Sequence, residues 1–179
     1  MRAFIALEIS EVLKQRAEEL EKEFQIEGLT LVKTEAMHIT LQFLGETSVE
    51  QAEKVVGVMK KLKVKPFRLD LAGLSYFSPR LIRVIFVEIS NGIEPLQDLY
   101  NKLSDGLTAN GIRFEEENYT PHLTIARAKR VRYIRKLREI LDKNSKVELG
   151  SFEVRSVALK ESTLTPEGPV YRDLYKLNL

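Results

Sequence analysis

The stretches MHITLQFLG (37–45) and PHLTIAR (121–127) contain both histidines of this 179-residue chain. In each stretch threonine follows the histidine after one intervening residue, and apolar residues fill most of the remaining positions. Alternation of this kind is typical of a half-buried β-strand. The two stretches therefore predict two strands that carry the same pair of polar side chains.

Side chains two positions apart in a strand lie on the same face. His38 and Thr40 would then share one face, and His122 and Thr124 would share the equivalent face of the second strand. The opposite faces are apolar and predict contact with a core. The residues expected to face the core are Ile39, Leu41 and Phe43 in the first strand and Leu123 and Ile125 in the second.

The composition favours a single folded domain, residues 1–179, with 44% hydrophobic residues. The formal charge of +2 argues against the large basic surface that binds long duplexes, but it allows a small or short anionic substrate. The absence of cysteine excludes disulfides, thiol nucleophiles and cysteine metal sites. No secretory signal pattern or membrane-length apolar run is present, so we expect a cytoplasmic protein without a membrane segment.

Helical and strand patterns mix along the chain and predict an α+β fold. Ser10 and Ser48 are expected to cap two helices, and Gly28 to close the first. The expected strands are 2–9, 29–32, 37–44, 67–77, 80–90, 121–127 and three within 146–179, with turns at Ser78–Pro79 and 165–169; the expected helices are 11–24, 49–62, 93–107 and 133–143.

A weak internal repeat is visible in this order. Each His-x-Thr strand precedes an amphipathic helix rich in lysine, and the histidines are 84 positions apart (122 minus 38). Such a repeat predicts two related lobes that face each other across a cleft, with a pseudo-twofold relation. In that arrangement the two His/Thr faces would meet.

Two histidines can divide acid and base roles, because the imidazole pKa of about 6.5 lies near neutral pH. One ring would take a proton from an attacking oxygen and the other would give one to the leaving oxygen of a phosphodiester. Threonine hydroxyls could hold the non-bridging phosphate oxygens. Metal binding is the weaker interpretation, because carboxylates at ligand spacing are missing. A further interpretation is that these residues are ordinary strand residues without a catalytic role.

Other candidates leave their alternatives open. Arg127 is a candidate phosphate-binding residue through its guanidinium group. In a regular strand its side chain would face away from His122, unless the strand ends or bulges there. The basic segment 129–138 could attract an RNA backbone or could be a solvated helix face. Aromatic residues that could stack on a nucleobase, or that could belong to the core or rim, are Tyr76, Phe77, Tyr119 and Tyr171.

With the opening MRAFIAL, the segments HITLQFLG (38–45) and PHLTIAR (121–127) resemble the RNA 2′,3′-cyclic phosphodiesterases, also called 2′-5′ RNA ligases, of the two-histidine phosphoesterase superfamily. The resemblance covers nearly the whole chain. It implies a bilobal α+β fold in which two antiparallel sheets, with helices outside, enclose a central cleft. It also implies monomeric action on RNA ends or short oligonucleotides, with no obligate protein partner.

The resemblance assigns roles to the residues of the two motifs. His38 would be the proton donor and His122 the proton acceptor, while Thr40 and Thr124 would bind phosphate. The reaction would hydrolyse a 2′,3′-cyclic phosphate to a 2′-phosphate without metal or cofactor, and an RNA 5′-hydroxyl in place of water would give a 2′-5′ linkage. A non-catalytic module that binds RNA ends or nucleotides, and a phosphodiesterase for small cyclic phosphates, remain as alternatives.

Overall fold

The computed structural model describes residues 1–77, 81–115, 119–166 and 168–179, and within these ranges there are nine strands and four α-helices. The strands are β1 (Arg2–Glu8), β2 (Leu29–Leu31), β3 (His38–Glu46), β4 (Phe67–Phe77), β5 (Val84–Asn91), β6 (His122–Ala128), β7 (Glu148–Val154), β8 (Ser156–Thr165) and β9 (Gly168–Asn178). The helices are α1 (Glu11–Glu21), α2 (Val49–Lys60), α3 (Ile93–Ala109) and α4 (Ile134–Lys143). The predicted turn at Ser78–Pro79 lies outside the described residues, as does Glu167 of the last predicted turn.

Two helices begin at the serines that the sequence predicts as caps. The backbone N–H of Leu13 donates to Ser10 Oγ at 3.4 Å. At the second helix, Gln51 N donates to Ser48 Oγ at 3.1 Å, and Ser48 N donates to Gln51 Oε1 at 2.9 Å. These bonds satisfy amide groups that a helix start otherwise leaves without partners.

Antiparallel pairing joins eight strands in the order β7-β4-β5-β6-β3-β1-β8-β9, and β2 pairs with β6. The α+β prediction is confirmed. The two predicted sheets join into one, because β3 and β6 pair at its centre with Ile39 opposite Leu123. β1 and β5 flank this central pair on either side, whereas the internal repeat itself stays a prediction.

The helices cover one face of the sheet through stripes of buried apolar residues. Leu13 and Ala17 of α1 belong to the same core as Leu99 and Leu103 of α3 and the apolar side of β3. Burial of these side chains at 0% exposure contributes about 1.5–3 kcal/mol for each large aliphatic residue. The other face of the central strands is left open, and it carries the His and Thr side chains.

Gly28 precedes β2 and permits a close approach of two backbone segments. Its φ is +93°, and a Cβ at this position would lie 2.0 Å from the carbonyl oxygen of Arg130. Any larger residue would move β2 away from β6. The prediction that Gly28 closes the first helix is wrong, because that helix has already ended at Glu21 and is followed by a 3-10 turn; Gly28 directly precedes β2 instead.

Candidate active site

The four predicted catalytic and phosphate-binding residues meet at the centre of the sheet. The β3–β6 register sets His38 opposite Thr124 and Thr40 opposite His122. All four line one cleft of about 560 Å³. This volume lies within the range of about 300–1,000 Å³ that is usual for small-molecule sites.

Both histidine rings are oriented by the same backbone contact. The Nδ1 atom of His38 lies 2.7 Å from the carbonyl oxygen of Ala36, and that of His122 lies 2.7 Å from the carbonyl oxygen of Thr120. A carbonyl only accepts hydrogen bonds, so it favours the tautomer with the proton on Nδ1. Nε2 is therefore the ring atom that can take or give a proton.

A β-bulge follows each His-x-Thr group. In β3, Thr40 and Gln42 pair with consecutive residues of β1, which makes Leu41 the extra residue. In β6, Ile125 is the extra residue by the same shift against β5. One extra residue reverses the alternation of side chains beyond it.

Because of the bulges, the side chain of the fifth residue after each histidine lies on the cleft face of the sheet and not on the core face. The prediction that Phe43 faces the core is wrong: its side chain is 48% exposed and lines the cleft, whereas Gln42 is 1% exposed. Arg127, which simple alternation turns away from His122, also lines the cleft. The bulge that the sequence left open as an alternative is therefore present.

Each histidine ring contacts two aromatic rings. His38 lies 4.8 Å from Phe4 between ring centroids and 5.1 Å from Tyr171, which meets it edge-on at 88°. The second histidine lies 4.9 Å from Phe86 and 5.0 Å from Phe77, edge-on at 85°. These contacts restrict ring rotation and exclude water from one side of each imidazole.

Burial lowers the pKa of both histidines. For His38 the pKa is about 4, and the positive charges of Lys160 and Arg127 act in the same direction as burial. For His122 burial is again the largest cause, Arg127 contributes, and the shift is smaller. Both rings are therefore mainly neutral at pH 7 when the cleft holds no anion.

An ion network centred on a buried lysine lies near His38. Lys160, which is 8% exposed, donates to Glu8 Oε1 at 2.9 Å and to Asp173 Oδ1 at 2.5 Å, while Lys176 donates to Glu8 Oε2 at 2.5 Å. Burial opposes ionisation of Glu8, but the bonds from Lys176 and Lys160 outweigh it and hold the pKa at about 2. Sequence reasoning missed this network because its members are brought together only by the pairing of β1, β8 and β9.

Positive side chains line the cleft together with the histidines. Arg2 and Lys33 join Arg127 there, and Glu115 supplies a carboxylate. Arg2 was not among the predicted site residues, although it lies on the same face of β1 as Phe4, whose ring contacts the first histidine. The cleft is suited to an anionic ligand.

The candidate base-stacking residues differ in position. Tyr171 lines the cleft and Phe77 contacts the second histidine. Tyr119 stacks on Tyr100 with centroids 4.0 Å apart and an interplanar angle of 9°, in a smaller adjoining cavity. Tyr76 is partly buried against the hydrophobic core and lines neither cavity.

The basic segment 129–138 does not line the cleft. Arg132 lies 3.4 Å from Glu27, and Arg135 lies 3.2 Å from Glu139 one helical turn further on. All four side chains are more than half exposed. These contacts fit the interpretation of this segment as a solvated helix face.

The described residues contain neither a metal-binding cluster nor a membrane-length apolar helix. Within residues 1–77, 81–115, 119–166 and 168–179, no group of three or more His, Asp or Glu side chains is placed to hold a metal ion. In the same ranges, every helix is too short or too polar to cross a membrane.

Comparison with known proteins identifies relatives along almost the whole chain. The AKAP7 2′5′ RNA ligase-like domain matches residues 4–179. An RNA 2′,3′-cyclic phosphodiesterase of Methanocaldococcus jannaschii is 34% identical over 172 residues, which is 96% of each chain. A protein of the same name from Aeropyrum pernix is 36% identical over 147 residues, 82% of this chain and 84% of that one.

Solved structures show the same fold. The protein TT0787 of Thermus thermophilus superposes with a TM-score of 0.81 at 28% identity and covers 100% of this chain and 98% of its own. E. coli LigT in complex with 3′-AMP has a TM-score of 0.78 at 20% identity, with 99% and 96% covered. At that identity the likeness concerns the fold alone.

Proposed function

The chain belongs to the AKAP7 2′5′ RNA ligase-like domain family, and from this premise we propose that it hydrolyses RNA 2′,3′-cyclic phosphate ends to 2′-phosphomonoesters. The observation that carries the proposal is the β3–β6 register, which brings two His/Thr pairs into one cationic cleft. Relatives named RNA 2′,3′-cyclic phosphodiesterase, at 32–36% identity, support the same reaction.

In this proposal His122 is the base and His38 the acid. His122 takes a proton from water, the water oxygen attacks phosphorus, the bond from phosphorus to the 3′ oxygen breaks, and His38 gives its proton to that oxygen. The pKa shifts support the division of roles. The imidazolium of His38, with a pKa of about 4, is the stronger acid, and His122, with the smaller shift, is the stronger base.

Binding of the anionic substrate is expected to raise the pKa of His38, so that the ring takes up a proton from solvent. An anion within a few ångströms favours the charged form of an imidazole and raises its pKa. Thr40 and Thr124 would donate hydrogen bonds to the non-bridging oxygens, and Arg127 would neutralise charge as it develops. No step in this scheme requires a metal ion or a cofactor.

The experiment is hydrolysis of a short RNA with a 2′,3′-cyclic phosphate end, in EDTA, with separation of 2′- from 3′-phosphate products. We expect wild type to give the 2′-phosphate and His38→Ala and His122→Ala each to lose at least about 100-fold in kcat/KM. Thr40→Ala should lose less, and Thr163→Ala, an exposed threonine on β8 outside both cavities, is the matched control.

Three outcomes would contradict parts of the proposal. Absence of hydrolysis by wild type would favour a module that binds RNA ends without turnover. Full activity of either histidine variant would remove the acid/base pair. Turnover of adenosine 2′,3′-cyclic phosphate with no gain on RNA would favour small cyclic phosphates as substrates.

The setting of this activity is part of the proposal. Residues 1–179 would act as a single bilobal domain and as a monomer, in the cytoplasm, without an obligate protein partner. Light scattering after size-exclusion chromatography should give a mass near the 20.6 kDa of one chain.

A further inference from the structure

The strand pair β2–β6 continues outward from the cleft into the basic segment 129–138. Thr30 of β2 pairs with Arg127 of β6, and both residues line the cleft. Lys129 follows two residues later, and its backbone N–H donates to the carbonyl oxygen of Gly28 at 3.0 Å. Because an extended chain advances about 3.3 Å per residue, the basic segment begins only about 7 Å beyond Arg127.

Positive charge is concentrated in this segment. Lysine and arginine occupy six of its ten positions and aspartate and glutamate none, whereas the whole chain has a formal charge of only +2. Arg132 and Arg135 make ion pairs with exposed glutamates. Among the described residues, no carboxylate pairs with three exposed cations of the segment, Lys129, Arg130 and Lys136. These three charges are therefore available to an anionic ligand that extends out of the cleft.

The apolar residues of the segment favour an RNA strand over a membrane as the ligand. Helix α4 buries its apolar side in the core, with Leu137 at 0% and Leu141 at 3% exposure, so that side cannot enter a lipid bilayer. Of the large apolar side chains that precede it, Tyr133 is 59% exposed and Ile134 41%. An exposed aromatic ring beside arginines is typical of surfaces on which the bases of a single strand stack.

We propose that the basic segment 129–138 binds the phosphodiester backbone of the RNA strand upstream of its cyclic phosphate end. This proposal rests on the proposed function. With the cyclic phosphate bound between the two histidines, the strand leaves the cleft past Arg127 and continues over Lys129 and Arg130. The segment takes no part in the chemical step. It increases the affinity for long RNA and thereby selects RNA ends over small cyclic phosphates.

A binding surface outside the cleft makes the rate depend on RNA length and on salt. A dinucleotide with a cyclic phosphate end has a single further phosphate, so it gains little from the segment. A strand of about 12 nucleotides carries enough phosphates to contact all three available cations. Each contact between a cation and a phosphate of a single strand contributes about −0.7 to the slope of log affinity against log salt concentration.

The experiment measures kcat/KM on the dinucleotide and on a single strand of about 12 nucleotides, both with 2′,3′-cyclic phosphate ends. For Lys129→Gln/Arg130→Gln/Lys136→Gln we expect a loss of about tenfold on the long RNA and of less than about twofold on the dinucleotide. On the long RNA, the slope of log kcat/KM against log salt concentration should become shallower by about 2, because three contacts are lost. The dinucleotide rate reports whether the variant is folded and active.

A matched control removes the same charge from another basic stretch. Lys61, Lys63 and Lys65 follow helix α2, are exposed, and line neither the cleft nor the smaller cavity. Lys61→Gln/Lys63→Gln/Lys65→Gln should keep kcat/KM on both RNAs within about twofold of wild type. Equal losses on the long RNA in the two triple variants would mean that net charge alone attracts RNA, and would overturn the proposal.

Further outcomes separate this proposal from the proposed function. Hydrolysis of both RNAs that the substitutions in the basic segment leave unchanged would overturn the proposal alone. If that variant instead lost co-sedimentation with phosphatidylserine vesicles and kept its RNA kinetics, the segment would be a membrane surface and the proposal would again be overturned. Absence of hydrolysis by wild type would overturn the proposed function, and fluorescence anisotropy of the labelled long RNA with wild type and variant would then still test the segment.

Discussion

The strands that carry His38 and His122 have the same backbone plan. Exposure alternates in the same order along both, with His and Thr half-buried, two adjacent buried residues at the bulge, and an exposed residue five positions after the histidine. Both Nδ1 atoms lie 2.7 Å from the carbonyl oxygen two residues earlier. A short sequence pattern thus specifies the orientation of both rings.

The two strands differ in charge. The fifth residue is Phe43 after the first histidine and Arg127 after the second. A glutamate lies opposite each histidine on the neighbouring strand, and Glu8 is bound by two lysines, whereas Glu88 is exposed. Burial lowers the pKa of both rings most, and Lys160, which the His-x-Thr pattern does not include, adds to the shift at His38 alone.

Among the tests of this charge difference between the two strands, mutation of the ion network beside His38 has the largest expected effect. Lys160→Met should lower the free energy of unfolding by about 3 kcal/mol, because the partly buried Glu8 and the more exposed Asp173 both lose their bond to a buried lysine. It should also raise the pKa of His38, which Lys160 lowers. Urea denaturation measures the first effect, and the NMR titration of the imidazole measures the second.

Lys176→Met is the matched control, because Lys176 also binds Glu8 but is 45% exposed. Its cost should stay below about 1 kcal/mol. If the two variants lose equal stability, burial of Lys160 is not what distinguishes the first strand from the second.

The equivalent positions after the two bulges give the next test. Arg127→Met should lower kcat/KM about 10- to 100-fold through loss of a charge-assisted bond to phosphate, and Phe43→Leu less than about tenfold. Arg127 lowers the pKa of His122, so its removal should also move the acid limb of the rate profile to higher pH. Arg127→Lys should restore the limb but only part of the rate.

Steady-state rates of these variants from pH 5 to 9 supply both quantities. A larger loss in Phe43→Leu than in Arg127→Met would mean that the second strand does not supply the phosphate-binding charge.

Strand alternation predicted that these His and Thr side chains share one face and one cleft, because they precede the bulges. The face of residues 38–40 and 122–124 follows directly from parity, and the α+β class follows from helix and strand periods. Parity failed at Phe43 because Leu41 is an extra residue in its strand pair. Neither Leu41 nor Ile125 has a side chain that indicates a bulge. The bulges are visible only in how β3 pairs with β1 and how β6 pairs with β5.

Long-range partners were also beyond sequence reasoning. Lys160 meets Glu8 across 152 positions, and Tyr100 meets Tyr119 from a helix that shows only its own amphipathic period. The smaller adjoining cavity exists because that helix packs against β3. Local patterns predict which face a residue takes, whereas the electrostatics of the site depend on which strands become neighbours.

Titration of the unmutated protein compares the pKa values of the two histidines directly, with the smallest expected effect of these tests. NMR should show His38 titrating near pH 4 and His122 titrating below its ordinary value by less, with His122→Ala used to assign the signals. Saturating inorganic phosphate should raise both midpoints, because an anion in the cleft stabilises both imidazolium ions. Since the pKa of His38 is lowered on folding, its contribution to stability is complete above pH 6.5 and is lost as pH falls towards 4. A midpoint near 6.5 for His38 in the free protein would remove the electrostatic difference between the strands and, with it, the physical reason for assigning the donor role to His38.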